Sequence, residues 1–319
     1  MPAKNLRGPI LLSLGASVLT LALKFTAYWL TGSIGLLSDA AETLVNVVAS
    51  LVAYFSLMYS AQPVDREHTY GHEKIEFFSS GLEGVLILVA SAAIAWHAVE
   101  HLLNPPVLES LGWGIAATAL ATVMNLVVAL HLLRVGRAHQ SIVLEADGHH
   151  LMTDVWLSVA VMAGISLVWA TGIHIFDPIC AVLVVGNISW TGWELVRRSF
   201  NGLMDRALPP EEQTRLRDVI QARLTSGMTY HAVRTRQAGA RRFIDFHLLV
   251  PGAMSVKEAH DTVERIEEAV KELFPDIEVS IHIEPIEDRA AWEDSELVQL
   301  EQAARQAELE QQRPTSAPQ

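Results

Sequence analysis

A histidine and an aspartate one helical turn apart, His150 and Asp154, lie in a stretch otherwise apolar enough to sit in lipid. A charged side chain at mid-bilayer costs about 2.5 to 3.5 kcal/mol on insertion scales, so intramembrane His, Asp and Glu face a partner, a cavity or an ion. Positions i and i+4 share one helix face. An imidazole nitrogen and a carboxylate oxygen can therefore converge on one cation, and that donor pair suits first-row divalent metals. Asp39, Glu42 and Asn46, at i, i+3 and i+7 of an earlier apolar stretch, also share a face, and all three offer oxygen. Glu42 and Asn46 with His150 and Asp154 would make a four-ligand set of one nitrogen and three oxygens, with Asp39 as an accessory ligand. The competing reading is plainer: Asp39 caps a turn, Asn46 bonds across helices and Glu42 carries a proton.

The elements that position these residues are membrane spans. Of the 319 residues 50% are hydrophobic and mean hydropathy is positive, more than an ordinary soluble domain shows. Crossing the hydrocarbon core takes about 20 apolar residues. Six segments reach that length, at 9–30, 34–58, 77–103, 111–133, 140–171 and 176–196. Lys4 and Arg7, Arg66 and Lys74, Arg134 and Arg137, and Arg197 and Arg198 flank alternate ends of these spans, while the intervening loops carry no Lys or Arg. The positive-inside tendency then places both termini of this multi-pass protein in the cytoplasm. The basic start followed by an apolar run resembles a secretory signal, but the run is too long and reads as a retained first helix. Trp29, Trp113 and Trp169 fall near span ends, as interfacial aromatics do. The only cysteine, Cys180, lies in the sixth span and reads as a small apolar residue.

After residue 200 the composition becomes that of a soluble domain, holding 22 of the 36 acidic residues and 14 of the 23 Lys and Arg. That acidic balance excludes nucleic acid as a partner. The pattern reads as helix, two strands, helix, strand. Pro209, Pro210 and Glu211 open a helix to about Thr225; 231–236 and 243–250 read as strands around a Gly239 turn. Ser255 and Glu258 form a capping-box signature for a helix closed by Pro275, and 278–284 alternates as a last strand. Three regions follow: a six-helix transmembrane domain at 1–204, a cytoplasmic α+β domain at 205–288, and a tail at 289–319 with a charged helix candidate at 291–311 before a polar, unfolded end.

Six segments together resemble the cation diffusion facilitator family of divalent metal transporters, in particular its bacterial zinc and iron efflux members. They are GSIGLLSDAAETLVNVVAS at 32–50, QPVDREHTYGHEK at 62–74, EADGHHLMTDVWLS at 145–158, LMDRALP at 203–209, VRTRQAG at 233–239 and VSIHIEP at 279–285. The resemblance implies that the protein lies in the inner membrane and that Glu42, Asn46, His150 and Asp154 are the transport site. The first two depart from the family's more usual Asp or His paired with Asp. It further implies a loop site from Asp65, His68 and His72, spaced i, i+3 and i+7. A binuclear cytoplasmic site near a homodimer interface would draw on His231, His247, His260, His282 and Glu284, where Glu284 replaces the family's frequent Asp. The cytoplasmic fold expected is ferredoxin-like, as in metallochaperones, and Lys74 with Asp205 matches an interdomain ion pair whose role is positional.

The function expected is secondary active efflux of a divalent cation by proton antiport. Zn(II) comes first for its tetrahedral preference and Fe(II) or Mn(II) next for the three oxygens, with Co(II) and Cd(II) as further candidates at both transport and regulatory sites. Two other classes compete. An intramembrane metalloenzyme is disfavoured because no HExxH is present and four ligands leave no open position. A membrane-anchored metal sensor would have no use for costly ligands at mid-bilayer.

Overall fold

The computed structural model describes residues 6–31, 34–103, 112–171, 176–274 and 276–293. The chain forms two compact units, Met1–Met204 with Ala238–Ala240 and Asp205–Gln237 with Arg241–Gln319, and each is described by itself.

The first unit consists of six long helices, α1 (Arg7–Thr31), α2 (Ile34–Ser60), α3 (Ile75–Leu103), α4 (Gly112–His139), α5 (Ile142–Thr171) and α6 (Phe176–Leu203). Three of them hold stretches long and apolar enough to cross a membrane among the described residues: Arg7–Thr26, Ile75–Glu100 and Ala119–His139. Large apolar side chains face outward, Trp29, Trp96, Leu183 and Trp190 among them. An apolar exterior is what lipid requires. The helices begin and end within a few residues of the expected spans, except that α4 and α6 run on to His139 and Leu203.

Two interior clusters organise the unit. Ile10, Ala53, Leu57, Ala129, Leu132, Leu144 and Leu151 join α1, α2, α4 and α5, whereas Phe77, Ile87, Ile142, Ala146, Ile188 and Leu195 join α3 and α6 to the start of α5. Helix α5 thus belongs to both. The α3–α6 seam depends on small residues. A Cβ on Gly84 would lie 2.8 Å from Val196 Cγ2 and 3.0 Å from the Gly192 carbonyl oxygen, and one on Gly81 would lie 2.6 Å from Ser199 Oγ. Without a hydrophobic driving force between helices in lipid, such close backbone approach supplies the packing that holds them together.

In the second unit α7 (Pro210–Gln221) precedes β1 (Thr229–Ala238), β2 (Arg241–Val250), α8 (Val256–Leu273), β3 (Ile277–Pro285) and α9 (Ala290–Glu293). The sheet order is β1-β2-β3, with β2 and β3 parallel and joined by α8. Gly239, at φ +56°, makes the tight β1–β2 turn, a left-handed conformation that a side chain would oppose. Ser255 caps α8 by accepting from Glu258 N while Glu258 returns a bond to Ser255 N, closing the expected capping box. Leu216 and Ile220 of α7, Ile244, Phe246 and Leu248 of β2, and Ile266 and Val270 of α8 form the core. Helix α7 stops four residues short of the expected Thr225, where the Arg223 and Leu224 N–H groups bond the Ile220 and Gln221 carbonyls three residues back and tighten the last turn. Pro275 and all but the first turn of the 291–311 helix candidate lie outside the described residues.

Candidate metal centres

The membrane centre is built between α2 and α5, which pack side by side. Asn46 and His150 are buried and Asp154 is half-buried. The Asn46 amide links the other two: its Nδ2 donates to Asp154 Oδ2 at 2.5 Å, and its Oδ1 accepts from His150 Nε2 at 2.8 Å. Three of the four expected ligand residues are therefore joined in one hydrogen-bonded chain, with Asn46 between the other two. Glu42 and the accessory candidate Asp39 lie on α2, but their side chains fall outside the described ones, as do those of Trp113, Trp169 and Cys180. In this arrangement a cation can replace the Nε2 proton, taking the imidazole nitrogen and the amide oxygen as donors.

The loop centre lies between α2 and α3. Asp65 Oδ1 accepts backbone bonds from Glu67 N at 2.8 Å and His68 N at 2.7 Å, an Asx-type turn that fixes the carboxylate. The backbone bond from His68 is the chief reason the Asp65 carboxyl is held below its usual range. His68 Nδ1 lies 3.2 Å from Asp65 Oδ1, and His72 Nε2 lies 3.2 Å from Asp65 Oδ2. The His72 nitrogens are buried without hydrogen-bond partners among the described residues, so His72 Nε2 and the carboxylate approach without bonding geometry. His68 Nδ1 hydrogen-bonds the carboxylate while His72 Nε2 faces it unpartnered, so three ligand-type atoms crowd a point where a cation could be held. The expected set Asp65, His68 and His72 is brought together, with Gly71 at φ +91° turning the chain so that His72 points back.

The cytoplasmic centre spans three strands. His231 of β1 lies 3.2 Å from Glu284 Oε2 of β3, and His247 Nδ1 of β2 lies 3.1 Å from Glu284 Oε1. Parallel register sets His247 beside His282 and Leu249 beside Glu284, so His247, His282 and Glu284 share a sheet face. His231 Nδ1 and His247 Nδ1 are buried with no hydrogen-bond partner among the described residues. Ala232, next to His231, has φ +52°, a strained value for a residue with a side chain, and it aims the histidine. His282 stands at the margin, its Nε2 3.6 Å from Glu284 Oε1.

His260 is not brought into this cluster within one protomer, so any part it plays as a ligand would have to be at an interface between two copies. It sits on the outer face of α8, 64% exposed, with Nε2 3.4 Å from Glu264 Oε1. Counting it with the strand histidines on residue type alone overlooked that Ala259 and Val263 take the buried face of α8 and turn His260 away. Asp205 lies 3.5 Å from Arg236 within its own unit.

Sequence reasoning passed over Glu76, Glu83 and Asp147, all buried in the helical unit. Glu76 accepts from Ser60 at 3.0 Å and Ser141 at 3.1 Å, and Asp147 accepts from Ser50 at 3.0 Å. The rule that singled out His150 applies equally to an acid inside a span.

A model of the cation efflux transmembrane domain matches residues 10–204, and one of the cation efflux protein cytoplasmic domain matches 208–286. The chain belongs to the cation diffusion facilitator family. A cation diffusion facilitator is an integral membrane transporter of divalent metal ions, a helical transmembrane domain followed by a cytoplasmic α+β domain. Among similar proteins, the uncharacterized transporter sll1263 of Synechocystis sp. is 44% identical over 92% of this chain and 94% of its own. The cation-efflux pump FieF of Citrobacter koseri is 32% identical over 88% of this chain and 92% of its own. The solved metal-bound C-terminal domain of the CzcD transporter from Thermotoga maritima is 32% identical, covers 26% of this facilitator and 100% of itself, and has a TM-score of 0.23.

Proposed function

We propose that this facilitator exports a divalent metal cation from the cytoplasm in exchange for protons, with Zn(II) the first candidate and Fe(II) or Mn(II) next. The observation that carries the reading is the Asn46–His150–Asp154 contact inside the helical unit. A metal-binding imidazole must present an unprotonated nitrogen and the carboxylate must be ionised, so binding expels protons and protonation expels the ion. Asn46 contributes an oxygen that does not titrate near neutrality. Proton exchange then falls to His150, Asp154 and Glu42. The site has mixed donors and no thiolate, a weaker grip than a closed structural cage and one from which an ion can leave.

The Asp65–His68–His72 and His231–His247–Glu284 sets act as regulatory sites for the same ion, His282 and His260 adding ligands at a homodimer interface. The termini lie in the cytoplasm and the protein in the inner membrane. Lys74 and Asp205 align the transport domain at 1–204 with the cytoplasmic domain at 205–288, ahead of the tail at 289–319. The test is uptake of Zn(II), Fe(II), Mn(II), Co(II) and Cd(II) into sealed proteoliposomes with an imposed pH gradient. Gradient-dependent flux lost in Asp154→Ala is the expected result; flux indifferent to the gradient removes antiport.

A further inference from the structure

Beside the Asn46–His150–Asp154 centre lies a second polar tier made of oxygen alone. Asp147 is three residues before His150 on α5, and Ser50 is four after Asn46 on α2, so both sit about one helical turn from that centre along their own helices. Ser50 Oγ donates to Asp147 Oδ1 at 3.0 Å and lies 3.5 Å from both Ser13 Oγ and Ser17 Oγ of α1. Helix α3 packs against α5 and carries Glu83 into the same buried interior as an electrostatic neighbour of Asp147.

Both acids are fully enclosed, Glu83 1% and Asp147 0% exposed, and Ser13, Ser17 and Ser50 are buried with them. Both Glu83 oxygens and Asp147 Oδ2 have no hydrogen-bond partner among the described residues. Three buried carboxylate oxygens therefore stand without a hydrogen-bond partner among the described residues, and the Ser50 hydroxyl that does donate here reaches only Asp147 Oδ1. Leaving one buried carboxylate uncompensated is costly, and leaving two adjacent ones is worse. A cation resolves all of this at once.

We propose that Glu83 and Asp147, assisted by the Ser13, Ser17 and Ser50 hydroxyls, form a second cation site in the membrane unit, one that takes a hard divalent ion of the Mn(II) type. Carboxylate and hydroxyl oxygens without nitrogen or sulfur select such ions. The tier continues toward the end of the helices where Ser60 and Ser141 hold Glu76, which marks a line of buried acids leading to the His150 centre. A staging role for the ion on its way to that centre rests on the transport reading above; the site itself does not.

The test counts Mn(II) bound per protomer in the full-length protein in detergent, from the loss of the free-ion electron paramagnetic resonance signal. Glu83→Gln and Asp147→Asn keep shape and remove charge, and each is expected to lose one Mn(II) while the visible spectrum of Co(II) on the histidine-containing sites is unchanged. Ser50→Ala, the gentler variant, covers a failure of either to fold and is expected to weaken one Mn(II) severalfold. An unchanged count and affinity in every variant that folds overturns the site. So does a protonated-carboxyl infrared band that vanishes in both acid variants with no Mn(II) lost, since the pair would then hold a proton. If proteoliposomes carry no metal but the variants still lose one Mn(II), the site stands and the transport reading falls.

Discussion

Asn46 holds the membrane centre together by an amide, donating to Asp154 and accepting from His150. Replacing it by a carboxylate would add an anionic ligand where a neutral one stands, and charge-assisted contacts are about twice as strong as neutral ones. Asn46→Asp is therefore expected to tighten Zn(II) on the order of tenfold, roughly 1.4 kcal/mol, and to slow its release. Competition with a fluorescent chelator and proteoliposome turnover check the two effects, and weaker binding would show that the amide is optimal. A smaller test concerns Glu258, whose carboxyl is held below its ordinary 4.5 by the side-chain and backbone bonds of Ser255. A carboxyl depressed in the folded state adds stability above its unfolded pKa and loses it as pH falls through the folded value. Glu258→Gln should therefore melt below wild type at neutral pH, with the difference closing as pH drops below about 4; a pH-independent gap would leave the charge without a role.

At the scale of elements, glycine placement in the α3–α6 seam makes a sharp prediction. Gly84→Val puts atoms where Val196 and the Gly192 backbone already are, and overpacking of this kind costs about 1 to 3 kcal/mol. Gly8 and Gly186 have nothing within 4 Å of an added Cβ, so Gly8→Ala and Gly186→Ala are matched controls that should be neutral. Thermal unfolding followed by size exclusion separates them, and equal losses at all three positions would show that the seam is not tightly packed. The elements themselves were legible from sequence because hydropathy sets helices in lipid and turn residues such as Pro210, Gly239 and Ser255 punctuate the soluble region. The centres were legible in part. His150 with Asn46, and Asp65 with His68 and His72, are local or paired by helix faces, so spacing reveals them. Which way His260 points depends on the register of α8 against the sheet, and the buried state of Glu83 and Asp147 depends on how α3 meets α5; neither is a property of local spacing.

For the molecule as a whole, ligands that bind only the folded form add stability in proportion to the logarithm of their concentration, about 2.7 kcal/mol at a hundredfold excess over Kd. Removing metal with a chelator should lower the melting temperature and weaken self-association of the full chain. His247→Ala, which removes a nitrogen facing Glu284, should melt near the metal-free wild type whether or not Zn(II) is present. A variant that still gains the wild-type increment from Zn(II) would place the stabilising ion at another centre.

Trp292 of α9 donates its indole N–H to the Ile286 carbonyl at 2.9 Å and meets the His231 ring edge-on at 5.8 Å. It is the only tryptophan after residue 193. The indole is thus a resident optical probe beside the cytoplasmic cluster. An open-shell ion such as Co(II) should dim its emission while closed-shell Zn(II) only shifts the band, so which ion the cluster has captured can be read without a dye.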